Sequence, residues 1–256
     1  MKAKTLIQSL DRAVDILEVV RDSDRGMRGT AIARKTDLPF KTAHNLIRSL
    51  LLHGYLMEDE EKNYWLGPEC FFLSDQAKGP FFQIAWDAEP CIRKLAAEIR
   101  STALVGVEFS GWLYCAAVAF PNGYSERNGH QPWLYKIHAT AAGRVLWAEH
   151  DDAELKKILS REFTKYTPFT CTTCDELMSS IRDCRRKGYC IVSDEHVVGN
   201  TSLAIPVRQT TGKLLAALSV GFSTEEWRSG KIDLQHYLKL LHLTAAQIDP
   251  ANQQFR

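Results

Sequence analysis

The residues of this chain best equipped for chemistry stand close together, in the run Lys41-Thr42-Ala43-His44-Asn45-Leu46-Ile47-Arg48. On a helical wheel Lys41, Asn45 and Arg48 share one side, with Thr42, His44 and Ser49 on the flanks, while Ala43, Leu46, Ile47 and Leu50 cluster opposite. One face is built to pack and the other to stay free. An amide or guanidinium on such a free face can form paired hydrogen bonds with purine edges in a DNA major groove, and Lys or Thr suits phosphate or base. The segment from Arg25 to His53 carries Arg25, Arg28, Arg34, Lys35, Lys41 and Arg48 against the single acid Asp37, the local basic patch that phosphate binding needs. Candidate DNA contacts are therefore Thr30, Lys41, Thr42, Ala43, His44, Asn45, Arg48 and, from a following hairpin, Lys62; Asn63 is the only other hairpin residue expected at the backbone, because Glu58 to Glu61 are all acids.

Other reactive groups read more blandly. Cys171-Thr172-Thr173-Cys174 is a CxxC with Cys184 and Cys190 downstream, but the spacing is unlike a paired zinc knuckle, and Thr173 with Glu176 reads as a helix capping box. Buried or incidental thiols are the expectation, with a metal or redox sensor as the rival. His138 could contact a ligand or bond backbone at a strand end. Asp194, Glu195 and His196 adjoin, yet neighbours on a strand point to opposite faces. No nucleophile with a supporting base, metal-binding helix motif or phosphate loop stands in recognisable context, so neither catalysis nor a cofactor is expected.

The elements that must position these groups follow from periodicity. Ser9 is a plausible cap for a first helix ending near Asp22; Thr30 caps a second over Ala31 to Lys35; Asp37-Leu38-Pro39 turns the corner into a third, Phe40 to about Leu52. Tyr55–Met57 and Tyr64–Leu66 flank a polar tip and read as a β-hairpin. Three helices and a hairpin make a winged helix-turn-helix. Gly67-Pro68 and Gly79-Pro80 bracket a short helical connector, giving domains at 1–67, 68–81 and 82–256. The last opens with a helix from about Phe82 to Arg100, then strands Ala103 to Phe109 and Leu113 to Phe120, a loop over Pro121 to Pro132, helices near Arg144, Asp151 to Leu159 and Asp175 to Lys187, strands Leu203 to Val207 and Leu214 to Phe222, and a helix Ile232 to Ile248. Strands mixed irregularly with helices argue an α+β domain with an antiparallel sheet.

Bulk properties agree. The 256 residues are 45% apolar, with 32 Lys and Arg against 31 Asp and Glu, so the chain as a whole is no polyelectrolyte. Seven cysteines in a chain too long to need disulfide staples fit reduced thiols, and no run is long and apolar enough for a signal peptide or a bilayer span. The expectation is a cytoplasmic protein with no membrane partner.

Taken together, Ser9-Leu10-Asp11-Arg12-Ala13, Asp37-Leu38-Pro39-Phe40-Lys41-Thr42, His53-Gly54-Tyr55-Leu56, Tyr64-Trp65-Leu66-Gly67, His138-Ala139-Thr140-Ala141-Ala142-Gly143, Gly188-Tyr189 to Gly199, Ala204-Ile205-Pro206-Val207 and Gly212 to Ser219-Val220 resemble the IclR-type bacterial regulators over almost the whole chain. The resemblance implies a homodimer built through the winged domains, commonly a dimer of dimers, on a palindromic double-stranded operator. It also implies a GAF/profilin-like second domain that binds a small-molecule effector, and control of an operon for catabolism of organic acids, sugar acids or aromatics. Its effector positions carry over as Ala141, Ala142, Val192, Ser202, Ser219 and Gly221. Relatives often have an acid at Val192, a cysteine at Ser202 and a serine at Gly221, and an arginine at Asn45; the pocket here keeps two hydroxyls and loses that acid, which points to a more apolar or bulkier effector. Trp112, Phe120, Trp133 and Trp147 are candidate stacking partners. A second domain that only oligomerises is the alternative.

Overall fold

The computed structural model describes residues 7–76, 80–109, 112–127 and 135–248; Trp133 and the side chain of Trp112 lie outside them. The chain divides into two compact units, Met1–Ala77 and Lys78–Arg256.

The first unit runs α1 (Gln8–Arg21), β1 (Met27–Arg28), α2 (Gly29–Lys35), α3 (Phe40–Leu52), β2 (Leu56–Glu58), β3 (Asn63–Leu66) and α4 (Pro68–Gln76). Ile16 and Val20 of α1, Ile32 of α2, and Ile47 and Leu50 of α3 meet Met27 and Leu56 in one buried core, the inward stripes that the helical periodicity predicts. Two expected caps are corrected. Ile7, not Ser9, precedes α1, and Arg28 precedes α2 without a side-chain cap, so that Thr30 lies inside the first turn. The hairpin forms as expected, with Met57 opposite Trp65, and gains a third strand that sequence reading missed: β1 pairs with β3, Met27 opposite Tyr64. The stretch expected as a connector is divided between units, α4 belonging to the first and the next helix opening the second.

The second unit contains α5 (Pro80–Ile99), β4 (Ala103–Phe109), β5 (Trp112–Ala119), β6 (Ser125–Arg127), β7 (Tyr135–Lys136), α6 (Ala141–Trp147), α7 (Asp152–Leu159), α8 (Cys174–Lys187), β8 (Cys190–Ser193), β9 (Asn200–Arg208), β10 (Leu214–Ser223), α9 (Thr224–Arg228) and α10 (Leu234–Ile248). Its antiparallel sheet has the order β6-β5-β4-β10-β9-β8, with β7 also on β5. Because side chains alternate across a strand, the sheet serves two cores. Leu218, Val220, Leu203 and Ile205 pack with Ile92 and Leu95 of α5 and Leu241 of α10, whereas Ala217, Ala204 and Val192 pack with Val145 and Trp147 of α6 and Ile181 of α8. This is the expected α+β layout of an antiparallel sheet flanked by helices.

Local chemistry explains the ends of the site-bearing helices. Thr140 caps α6 by accepting from Gly143 N at 3.1 Å, and Gly143 is obligatory there, since a Cβ would lie 2.0 Å from Ile137 O. Thr173 and Glu176 form the anticipated capping box on α8, which stops at Gly188 in the left-handed conformation (φ 77°).

Candidate functional site

In the first unit the turn between α2 and α3 is held by Leu38 N–H on Ala33 O at 2.9 Å, with Asp37 at φ 53°, a conformation Asp tolerates better than most side chains. That corner aims α3. Lys41, His44, Asn45 and Arg48 are exposed along it and Thr42 is half-buried. Ala43 is corrected: at 0% exposure it belongs to the core and cannot touch a nucleic acid. Arg25, Arg28, Arg34, Lys35, Lys41 and Arg48 are all exposed, and none of the six takes part in an ion pair among the described residues. Exposed cations without carboxylate partners are free to replace the counterions of a phosphate backbone.

The wing contributes less. Lys62 at its tip pairs with Glu58 at 3.7 Å. Asn63 is committed to Asp59, which accepts from the Asn63 backbone N–H at 2.7 Å, the Asn63 amide at 3.2 Å and Trp65 Nε1 at 2.7 Å. These bonds, the Trp65 indole foremost, hold the Asp59 carboxyl below its ordinary range.

The second unit carries a cavity of about 390 Å³, within the size range of small-molecule sites. Strand register explains why distant residues meet there. Val192 of β8 lies opposite Ser202 of β9, and Ser202 opposite Gly221 of β10; Ser219 lies one row along, beside Leu104 of β4. Val192, Ser202, Ser219, Gly221 and Ala142 all line the cavity. Ala141 sits behind them, fully buried, its N–H donating to Ser202 Oγ at 3.4 Å. The Ser219 hydroxyl donates to Leu203 O at 3.1 Å. Leu104, Leu113, Val197 and Phe222 supply apolar wall; Thr102, Thr140 and Asn200 supply polar groups.

Glu195 and His196 also line this cavity, and sequence reading missed both. They lie in the bend between β8 and β9 rather than on a strand, so the alternation argument that separated them does not apply. Glu195 brings a carboxylate to the cavity from the loop, and that carboxylate is engaged: Glu195 Oε2 accepts from Arg144 NH2 at 2.5 Å and from Cys171 N–H at 2.8 Å. Arg144, 3% exposed, also donates to His138 O at 2.9 Å and Ser180 Oγ at 2.8 Å. Burial lowers the His196 pKa, so His196 presents a neutral imidazole to the cavity at pH 7.

The remaining singled-out residues that the structure describes do not line the cavity. His138 is fully buried, bonded through Nε2 to Thr164 O at 3.0 Å and stacked on Tyr166. Trp147 is a core side chain at 1% exposure, and Phe120 stacks on Tyr124; neither lines the cavity, where Phe222 supplies an aromatic wall among the described residues. Cys184 and Cys190 are buried in the α8–β8 core, and no cluster of three or more His, Cys, Asp or Glu among the described residues is placed to hold a metal.

Comparison with known proteins bears on both units. Residues 9–60 match the IclR helix-turn-helix domain and residues 129–250 match the C-terminal domain of bacterial transcriptional regulator IclR. The chain is 30% identical over 231 residues to the HTH-type transcriptional regulator XynR of Escherichia coli, covering 86% of this chain and 87% of that protein. It is 27% identical over 250 residues to the Pca regulon regulatory protein of Pseudomonas putida, covering 96% and 84%. In fold it resembles an IclR homolog from Microbacterium hydrocarbonoxydans complexed with 4-hydroxybenzoate, with a TM-score of 0.73 at 20% identity, covering 94% of this chain and 97% of that one.

Proposed function

The chain belongs to the IclR family of DNA-binding bacterial transcriptional regulators, and from that premise we propose that it controls a catabolic operon by binding a palindromic operator in response to a small organic effector. The observation that carries the proposal is the outward face of α3, where Lys41, His44, Asn45 and Arg48 stand exposed, Lys41 and Arg48 belonging to a set of six exposed cations that form no ion pair among the described residues. Asn45 and Arg48 read base edges; Lys41, Thr42 and Thr30 hold the backbone. Lys62, paired with Glu58 on an acidic wing, contributes least.

Two copies are needed for a palindrome, with recognition helices about one helical turn, ~34 Å, apart. Leu10 and Val14 on α1, 60% and 46% exposed, and Phe71 and Phe72 on α4, 69% and 57% exposed, give the first unit an apolar surface suited to pairing. The effector occupies the cavity around Ser202, Ser219 and Gly221. Val192, Leu104, Leu113 and Phe222 favour an apolar or aromatic body, and the cavity presents no Lys or Arg side chain among its described lining residues. An aromatic acid fits this wall better than a sugar acid, and the Microbacterium homolog bound to 4-hydroxybenzoate sets the precedent. Regulation requires the effector to favour one arrangement of the dimer, by roughly 1–3 kcal/mol.

The test is a fluorescence-anisotropy titration against the chain's own upstream DNA at two salt concentrations. Wild type should bind tightly and lose affinity with salt, and an Asn45→Ala, Arg48→Ala double variant should lose selectivity for that DNA over random duplex. Equal binding by both proteins would overturn the assignment of α3.

A further inference from the structure

The DNA-reading helix begins with an aromatic side chain that the core does not use. Phe40, the first residue of α3, is 55% exposed, although Ile32 and Ile47 nearby are fully buried and show where α2 and α3 take apolar groups. The ring is held in place on the surface. It stacks on His44, one turn along α3, with centroids 5.9 Å apart and planes 23° from parallel. It also lies beside the start of α2, where a Cβ on Gly29 would stand 4.0 Å from Phe40 Cε2. The ring is thus stacked on its own helix near the start of α2, and more than half of the side chain is open to solvent.

Leaving this much aromatic surface in water forgoes burial that large apolar side chains normally gain. The charge around it indicates the kind of surface that suits it. Lys41 follows Phe40, Arg28 and Thr30 flank Gly29, and Arg48 lies further along the same helix, all exposed. A surface with this charge receives a polyanion. In a major groove the one apolar group offered by the base edges is the thymine C5-methyl, a contact phenylalanine is able to make.

Resting on the reading of the first unit as an operator reader, we infer that the Phe40–His44 stack is a thymine-methyl contact that sets base preference beside the positions read by Asn45 and Arg48. The test uses the full chain. An operator is enriched from random-sequence duplexes, and each of its thymidines is replaced in turn by deoxyuridine, which removes only the methyl group. At one position in each half-site wild type should lose about fourfold in affinity, the worth of one buried methyl. Phe40→Ala should lose nothing further there, and Phe40→Leu, which keeps an apolar side chain, should show an intermediate loss. Deoxyuridine tolerated everywhere by wild type would overturn the inference, as would a loss of the same size in both variants, which would assign the methyl to another residue such as Thr42. If no duplex is enriched at all, the operator reading itself fails and the inference falls with it.

Discussion

Removing the Glu195 carboxylate tests how the cavity is braced. Glu195→Ala would leave the Arg144 guanidinium, 3% exposed, with its acceptors on His138 and Ser180 but no counter-charge, and would strip the Cys171 N–H of its acceptor. Breaking a buried ion pair from one side typically costs about 3–5 kcal/mol. Glu195 borders the cavity whereas Arg144 does not, so water admitted by the truncation relieves part of the penalty, and a value near 3 kcal/mol is expected. For a unit the size of Lys78–Arg256 that is a fall of roughly 6–12 °C in Tm, measured by scanning calorimetry of the full chain without effector. The companion variant replaces both partners, Arg144→Met with Glu195→Leu. It should recover most of the loss, because a buried pair exchanged for apolar side chains is often neutral. A fall below about 2 °C for Glu195→Ala, or a double variant as unstable as the single one, would refute the reasoning.

Lys41→Ala should weaken binding to operator and random duplex alike and reduce the slope of log affinity against log salt by about 1, read from anisotropy titrations over a salt series. Gly143→Ala should destabilise the second unit by at least about 3 kcal/mol, visible in chemical denaturation, because a Cβ would meet Ile137 O at 2.0 Å. Asp194 has its pKa held below the ordinary carboxylate range by the Gly199 N–H, the Thr224 hydroxyl and Arg228. Its stabilising contribution is therefore present above the unfolded value of about 4 and lost as pH falls through the lower folded value. Thermal melts of wild type and Asp194→Asn should differ at pH 7 and draw together only as pH falls below about 4 toward the lower folded value; Asn tolerates the φ of 62° found there, so charge is the variable. Val192→Asp should shift the effector preference toward hydroxylated acids, measured by calorimetric titration of a panel of acids, while operator affinity without effector stays unchanged.

Periodicity was a sound guide wherever an element was long enough to repeat. The stripe Ala43, Leu46, Ile47, Leu50 located α3, and strand β4 falls at Ala103–Phe109 as expected. Elements of two to four residues, β1, β7 and β8 among them, have no period to detect and are set by pairing with distant strands. For the same reason the meeting of Val192 with Ser202 and Gly221 was legible only through the family resemblance, since register is a tertiary property. Ser9 and Thr30 were sound cap chemistry at positions where the backbone enters the helix one or two residues earlier. Glu195 and His196 were missed because a strand was assumed through a bend. The basic segment from Arg25 to His53 could be counted directly; that Asn63 was spent on Asp59 could not.

The two faces of β10 have unequal duties. Toward α5 and α10 it presents Leu218, Val220 and part of Phe222; on the other face Ala217 packs against α6 and Ser219 and Gly221 line the cavity, which Phe222 also borders. Ser219 and Gly221, two of the proposed effector positions, bury little apolar surface of their own, and a Cβ at Gly221 finds only Asn200 Oδ1, at 3.5 Å. On that reading, changes at these two positions alter what is recognised while drawing little on the contacts that keep the sheet folded. On the proposed reading a lineage could drift from one metabolite to another through single substitutions with the sheet still folded, and a laboratory library confined to positions 202, 219 and 221 would follow the same route to a biosensor of new specificity.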